Sequence, residues 1–135
     1  WQMLQRWQSS SIKIPKRFFI DFLRGHLDGD GSITTYIDKY NTFKNDKYVY
    51  NRLFVRFISA SKDHIEWLNN MIINNLGIKG SVHESKTTEK YKNPMYIIKF
   101  GKKNSLLLLS KIYYSNNIPY LKRKYNIYRK FIKNE

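Results

Sequence analysis

Residues 23–31 read Leu-Arg-Gly-His-Leu-Asp-Gly-Asp-Gly and follow directly on the aromatic run Phe18-Phe19-Ile20-Asp21-Phe22. Gly25 and Gly29 stand four apart, which places them on one face of a helix. Glycines so spaced let two helix backbones approach closely. Within a turn this face reaches two carboxylates, Asp28 and Asp30, and a closing Gly31. The exposed carbonyls of a helix C-terminus add negative potential at that point. A close-packing face that ends in an acidic tip suggests a metal held at the end of a helix.

Two other devices use similar residues. In an EF-hand calcium loop, Asp28, Asp30 and Gly31 would fall at the third, fifth and sixth positions, but His26 and Ile37 would then fall at the first and twelfth, which need an acid and a bidentate glutamate. Both end ligands are missing. An Asp-Gly pair between an apolar helix and an alternating run also serves to reverse the chain.

The nine residues resemble the defining motif of the LAGLIDADG homing endonucleases. Leu23, Gly25, Leu27, Asp28, Asp30 and Gly31 fall on the pattern, Gly29 is an accepted small residue, and Arg24 and His26 depart from it. The resemblance implies a motif helix paired with a second copy across a twofold axis, with the last acid of each copy binding a divalent metal at a scissile phosphate. Asp30 is then the first catalytic and metal-binding residue, with the Gly29 carbonyl beside it. Gly25, Gly29, Phe22 and His26 would lie at the dimer interface. Arg24 in that seam would need a partner, unless it points to the rim or toward DNA.

Composition narrows the partner. The 135 residues carry 25 Lys and Arg against 10 Asp and Glu, a formal charge of +15, and such an excess implies a polyanion such as nucleic acid. An aromatic content of 16% marks a folded protein and not a basic tail. With no cysteine, disulfides, Cys-based zinc sites and thiol catalysis are excluded together. The three histidines, His26, His64 and His83, have no zinc-ligand spacing. No apolar run approaches the roughly 18 residues of a membrane span, so no membrane association is expected, and an intracellular location, in cytoplasm or organelle matrix, is permitted.

In chain order, residues 1–15 read as an N-terminal extension or the end of an upstream segment, and 16–135 as one domain. Pro15 is placed to start a helix in which Phe18, Phe19, Phe22, Leu23, His26 and Leu27 cover two adjacent faces; His26 reads as an interface or core histidine with a satisfied hydrogen bond. From Ser32 to Phe43 the period changes to two, with Ile33, Thr35 and Ile37 on a core face and Thr34, Tyr36, Asp38 and Tyr40 opposite. Asn45-Asp46 supplies a turn. The strand from Tyr48 to Ser59 directs Leu53, Val55 and Phe57 inward and Arg52, Phe54 and Arg56 outward. Ser61 caps a helix through Ile65, Leu68, Ile72 and Leu76 that stops at Gly77, with His64 expected to face solvent. Residues 80–87 and 95–101 form a second hairpin. A third helix, 103–114, packs through Leu106, Leu107, Leu109 and Ile112, and a strongly basic one follows from Tyr120 to Lys133.

Helix, hairpin, helix, hairpin is the chain order of the LAGLIDADG fold, so an α+β architecture is expected, αββαββα(α), with an antiparallel sheet forming a DNA-binding saddle. Pro119-Tyr120-Leu121-Lys122-Arg123-Lys124 is similar to a segment that places a lysine near the scissile phosphate in relatives, which implies Lys124 first and Lys122 second as catalytic cations. Candidate DNA contacts are Thr34, Tyr36, Asp38, Arg52, Arg56, His83, Ser85, Lys86, Lys99 and Arg123. Arginines and tyrosines on one face of a hairpin can lie as a ribbon in the major groove. One motif supplies one acid per chain, so cutting both strands of a duplex requires two chains. The expected activity is a homodimeric, Mg²⁺-dependent endonuclease on a pseudo-palindromic DNA site, with Mn²⁺ as a possible substitute. The rival function is a cleavage-inactive nucleic-acid binder, an intron RNA maturase or a repressor; general RNA binding rests on charge alone.

Overall fold

The computed structural model describes residues 14–39, 50–87, 89 and 92–134. The expectations for residues 1–13, for Tyr40, Phe43 and Tyr48, and for the turn at Asn45-Asp46 lie outside the described residues. The elements are α1 (Phe19–Asp30), β1 (Gly31–Asp38), β2 (Tyr50–Ser59), α2 (Lys62–Leu76), β3 (Ser81–Glu84), β4 (Tyr96–Phe100), α3 (Lys102–Ile112) and α4 (Lys122–Lys133). The four strands form one antiparallel sheet in the order β1-β2-β4-β3. Helices α1, α2 and α3 pack on β2, and α4 packs on β1. The α+β order expected from the sequence is the order observed.

A short 3₁₀ turn, Lys16–Phe18, precedes α1, with the Phe18 N–H donating to the Pro15 carbonyl at 2.9 Å. Phe19, Leu23 and Leu27 then recur at four-residue spacing, each at most 1% exposed, and fix which face of the helix meets the sheet. The helix ends because Gly31 turns into extended backbone at close quarters. A Cβ on Gly31 would stand 2.6 Å from Leu27 Cδ1 and 2.9 Å from Leu27 Cα. Only glycine fits where the chain doubles back on its own last turn. Helix α2 begins where Ser61 accepts the His64 N–H at 3.2 Å and stops at Gly77, whose φ of 68° is left-handed.

Leu53, Val55 and Phe57 are fully buried, as the alternation of β2 predicts, and Ile98 and Phe100 join them from β4. Three expectations need correction. On β1 only Ile33 is buried; Thr35 is exposed and Ile37 is 59% exposed. The far end of this edge strand is separated from the end of α4 by a cleft of about 260 Å³, lined by Thr35, Asn51, Ile127, Lys130, Phe131 and Asn134, so the alternation continues past the core it would fill. In α3, Leu107 is 46% exposed and Leu108 is buried in its place, because the face toward the sheet runs through Ser105, Leu108, Leu109 and Ile112. His64 is 1% exposed instead of solvent-facing.

Ser105 explains the orientation of α3. Its hydroxyl donates to the Phe100 carbonyl at 2.9 Å and accepts the Val55 N–H at 3.1 Å, so one buried side chain ties the helix to two strands. Replacing it with alanine leaves a buried donor and a buried acceptor unpaired, which costs about 1–3 kcal/mol per group. We predict that Ser105→Ala lowers the unfolding free energy measured in urea by at least about 1 kcal/mol; an unchanged midpoint would show that the two bonds contribute nothing net.

Candidate functional site

The two acids of the motif have different surroundings. Asp28 accepts the Tyr113 hydroxyl at 3.0 Å on one carboxylate oxygen and the Leu121 N–H at 2.8 Å on the other. Burial, reinforced by the Asp28 charge, pushes the Tyr113 hydroxyl to a higher pKa and keeps it a donor. Asp28 is therefore committed to holding the chain together. Asp30, the last residue of α1, is exposed and accepts no side-chain hydrogen bond among the described residues. Beside it opens a cleft of about 380 Å³ lined by Ile58, Ser59, Ala60 and Met95.

Lys124 sits under this tip. Its ammonium donates to the carbonyls of Leu27 at 2.7 Å, Asp28 at 2.9 Å and Gly31 at 2.6 Å, and the residue is 7% exposed. Burial is the main cause that lowers its pKa, with the Arg123 charge acting the same way and Asp28 and Asp30 opposing. All three donors of the ammonium are engaged, so Lys124 positions the acid-bearing turn by supplying positive charge to the negative end of α1. Lys122 and Arg123 are exposed on the first turn of α4.

The tip suits a hard cation. Asp30 offers a carboxylate, and the Gly29 carbonyl is outside the set that Lys124 occupies; oxygen donors of this kind fit Mg²⁺ or Mn²⁺. Among the described residues no group of three or more His, Asp or Glu side chains could hold a metal. These two oxygens by themselves would make only part of a coordination shell.

Along α1, Gly25 and Gly29 are exposed, and a Cβ built on either meets nothing within 4 Å. Packing among the described residues does not require these glycines. Phe22 is half-buried and meets Trp67 edge-on at 5.9 Å. The two departures from the motif face inward. Arg24 is 5% exposed and donates to the Pro119 carbonyl at 2.7 Å, the Ile112 carbonyl at 3.1 Å and Asp21 at 2.9 Å, so its partners lie within its own chain. His26, expected in the seam, is 6% exposed and turned toward the sheet, with its Nε2 2.8 Å from Nε2 of His64. It is a core histidine with a hydrogen bond, and its side chain is not part of the bare glycine face.

The outward face of the sheet gathers most of the expected DNA contacts. Register places Ser32, Arg56, Lys99 and Ser81 in one row across all four strands, with Thr34 beside Phe54 and Tyr36 beside Arg52. Arg56 donates to Thr34 at 3.1 Å, Arg52 pairs with Asp38 at 3.2 Å, and Tyr36 stacks on Phe54. Lys99 lies 4.1 Å above the Phe54 ring. These cations are held by aromatic and hydroxyl neighbours, and the row is presented as a surface. His83 is exposed opposite Ile97, and Lys86 is exposed beyond β3. The Ser85 hydroxyl accepts the Met95 N–H at 2.9 Å and so extends the hairpin. Tyr113, Arg24 and the Leu121 amide carry no motif signal in the sequence, and their roles depend on partners about 90 residues away.

An acid-tipped helix at one end of an antiparallel sheet, with a basic and aromatic outward face, defines the class of fold. Residues 19–113 match the family model described as LAGLIDADG-like domain, and the chain belongs to that family. No curated protein matches the sequence. Solved structures with the same fold include the archaeal intron-encoded homing endonuclease I-Vdi141I complexed with DNA, at 17% identity over 88% of this chain and 69% of that one, TM-score 0.61. The homing endonuclease I-CvuI, in complex with the I-CreI target in the presence of magnesium with the DNA not cleaved, matches at 20% identity over 87% of this chain and 66% of that one, TM-score 0.58. Meganuclease I-SmaMI bound to uncleavable DNA matches at 18% identity over 92% of this chain but only 37% of its own length, TM-score 0.62.

The buried histidine pair has a measurable consequence. Burial lowers the pKa of both rings, that of His64 to about 4 with the neighbouring His26 adding to it, while Asp30 opposes the shift in each. The folded state therefore binds fewer protons than the unfolded chain. The contribution of His64 to stability is complete above the ordinary histidine value of about 6.5 and is lost as pH falls toward 4, and that of His26 is lost in the same direction. We predict a loss of up to about 1.4 kcal/mol per pH unit from His64 in that window, with His26 adding to it, followed by urea denaturation, and a flatter profile in the double variant His26→Leu/His64→Leu. The same slope in that variant would place the acid sensitivity elsewhere.

Proposed function

We propose that the protein is a metal-dependent double-strand DNA endonuclease that works as a homodimer on a pseudo-palindromic site. The observation that carries this reading is the division between the two acids: Asp28 is consumed by Tyr113 and Leu121, while Asp30 stands exposed and unpartnered at the tip. An exposed carboxylate pinned at the end of a buried helix serves no packing purpose, and its position beside a basic, aromatic sheet face suits a group presented to a phosphodiester.

Phosphodiester hydrolysis needs an activated water, a Lewis acid on the phosphoryl oxygen and support for the leaving oxygen. Bound Mg²⁺ supplies the first two of these. Asp30 and the Gly29 carbonyl would hold it, with phosphate oxygens of the DNA completing the shell. Lys124 keeps the turn that carries Asp30 in place and lends positive charge beneath it. Lys122, exposed two residues earlier, is free to meet a phosphate. The cations of Arg56 and Lys99 attract and orient the duplex, with Thr34, Tyr36, Arg52 and His83 facing base edges.

Two acids are needed for two strands, and the bare face of Gly25 and Gly29 supports the pairing. Glycine in a helix interior costs about 1 kcal/mol relative to alanine, and here nothing among the described residues requires it. A second copy of α1, packed across a twofold axis, would use the space. The alternative, a nucleic-acid binder that does not cut, is favoured by one observation: every donor of Lys124 is already satisfied by backbone.

Three outcomes follow. Asp30→Asn retains DNA binding and abolishes Mg²⁺-dependent linearisation of a plasmid that the wild type cuts; wild-type binding without cleavage of any duplex would select the non-cutting reading. Binding weakens by roughly 10³ to 10⁵ between about 50 and 200 mM salt if about six to ten phosphates are contacted, and a flat response in a filter-binding assay would remove nucleic acid as the partner. Gly25→Ala favours the isolated helix by up to about 1 kcal/mol yet weakens self-association in sedimentation velocity. Unaltered association in that variant would mean the glycine face is not the seam.

A further inference from the structure

Going from the far end of the sheet toward the helix tip, the outward face changes character. The row containing Arg56 and Lys99 is cationic. One step nearer Asp30, Ile58 pairs with Ile97 across β2 and β4, and Ile97 faces the exposed His83 on β3. Next come Met95 and Ala60, which line the cleft of about 380 Å³ beside Asp30 together with Ile58 and Ser59. Ile58, Ile97 and Met95 are half-buried and Ala60 is exposed. An apolar strip therefore lies between the cationic row and the acid, on the face that carries the polar groups suited to reading DNA.

We infer that this strip reads the 5-methyl groups of thymines at the base pairs nearest the scissile phosphates. The inference rests on the endonuclease reading and specifies the substrate of that site. In the major groove the thymine methyl is the one apolar group that a base pair presents, and apolar side chains recognise it by contact. Cytosine would set an amino donor in the same region, where Ile58, Ile97 and Met95 offer it no oxygen or nitrogen acceptor; the acceptors, Asp30, Ser59 and His83, stand at the margins of the strip. Flanking cations at Arg56 and Lys99 hold the phosphates and keep the duplex against the strip. Specificity next to the cut is then set by dry contact, and specificity farther out by Arg52, Tyr36 and Thr34.

The test is a selection from a random duplex library by the wild-type chain, followed by thymine-to-deoxyuridine exchange in the selected site, which removes only the methyl. Thymine should be enriched at the base pairs flanking the cut. Each exchange there should weaken binding about fourfold, the transfer value of one methyl, and Ile97→Asn should abolish the difference between thymine and deoxyuridine. An enriched sequence without thymine near its centre, or one indifferent to the exchange, overturns the inference and leaves the endonuclease reading standing. Enrichment of no sequence at all overturns both.

Discussion

The structure depends on one ammonium group beneath one helix end. Helix α1 stops with its last carbonyls unsatisfied, as every helix does, and Lys124 from the beginning of α4 takes three backbone carbonyls of this tip region at once. The lysine could have been spent on the carboxylate of Asp30. Because it caps the backbone instead, the tip is fixed and the Asp30 carboxylate keeps no side-chain hydrogen-bond partner among the described residues. The segment around it completes the clamp: Leu121 and Tyr113 hold Asp28, and Arg24 reaches back to the carbonyls of Ile112 and Pro119. Three side chains and one backbone amide thus lock the C-terminal third of the protein onto the motif helix.

This clamp accounts for the two places where the motif departs from its family's pattern. Arg24 and His26 look like defects in a seam of small and apolar residues. Each faces inward, Arg24 toward the loop after α3 and His26 toward α2 and the sheet. The face that remains outward is the one with Gly25 and Gly29, bordered by the carboxylates of Asp21 and Asp28, which are held by Arg24, Tyr114, Tyr113 and the Leu121 amide. The departures therefore leave the proposed seam intact while adding two long-range ties inside the protomer.

How much of this was legible depended on how local the cause was. The nine residues of the motif specify the helix, its glycine face and its acidic end, and strict alternation specifies Leu53, Val55 and Phe57 as the inward face of β2. Ser61 and Gly77 mark the limits of α2 because capping is a property of neighbours in sequence. The misreadings involve partners that sequence does not bring together. His64 looks like a polar residue in a first helical turn, and only its contact with His26, 38 positions away, explains its burial. Ile37 satisfies the alternation, yet α4 does not close on that end of the strand. The division of labour between Asp28 and Asp30 is likewise invisible in a pattern where both are simply acids, and it emerges only once Tyr113 and Leu121 are folded against the first.

The central claim is that each protomer brings a single working acid, Asp30, to one strand of a duplex. A mixed dimer of one wild-type chain and one Asp30→Asn chain, purified through two different tags and incubated with supercoiled target plasmid and Mg²⁺, examines this directly. The account predicts nicked circles, because one strand is cut and the other is left whole. Linear plasmid formed by the mixed dimer at the wild-type rate would contradict it.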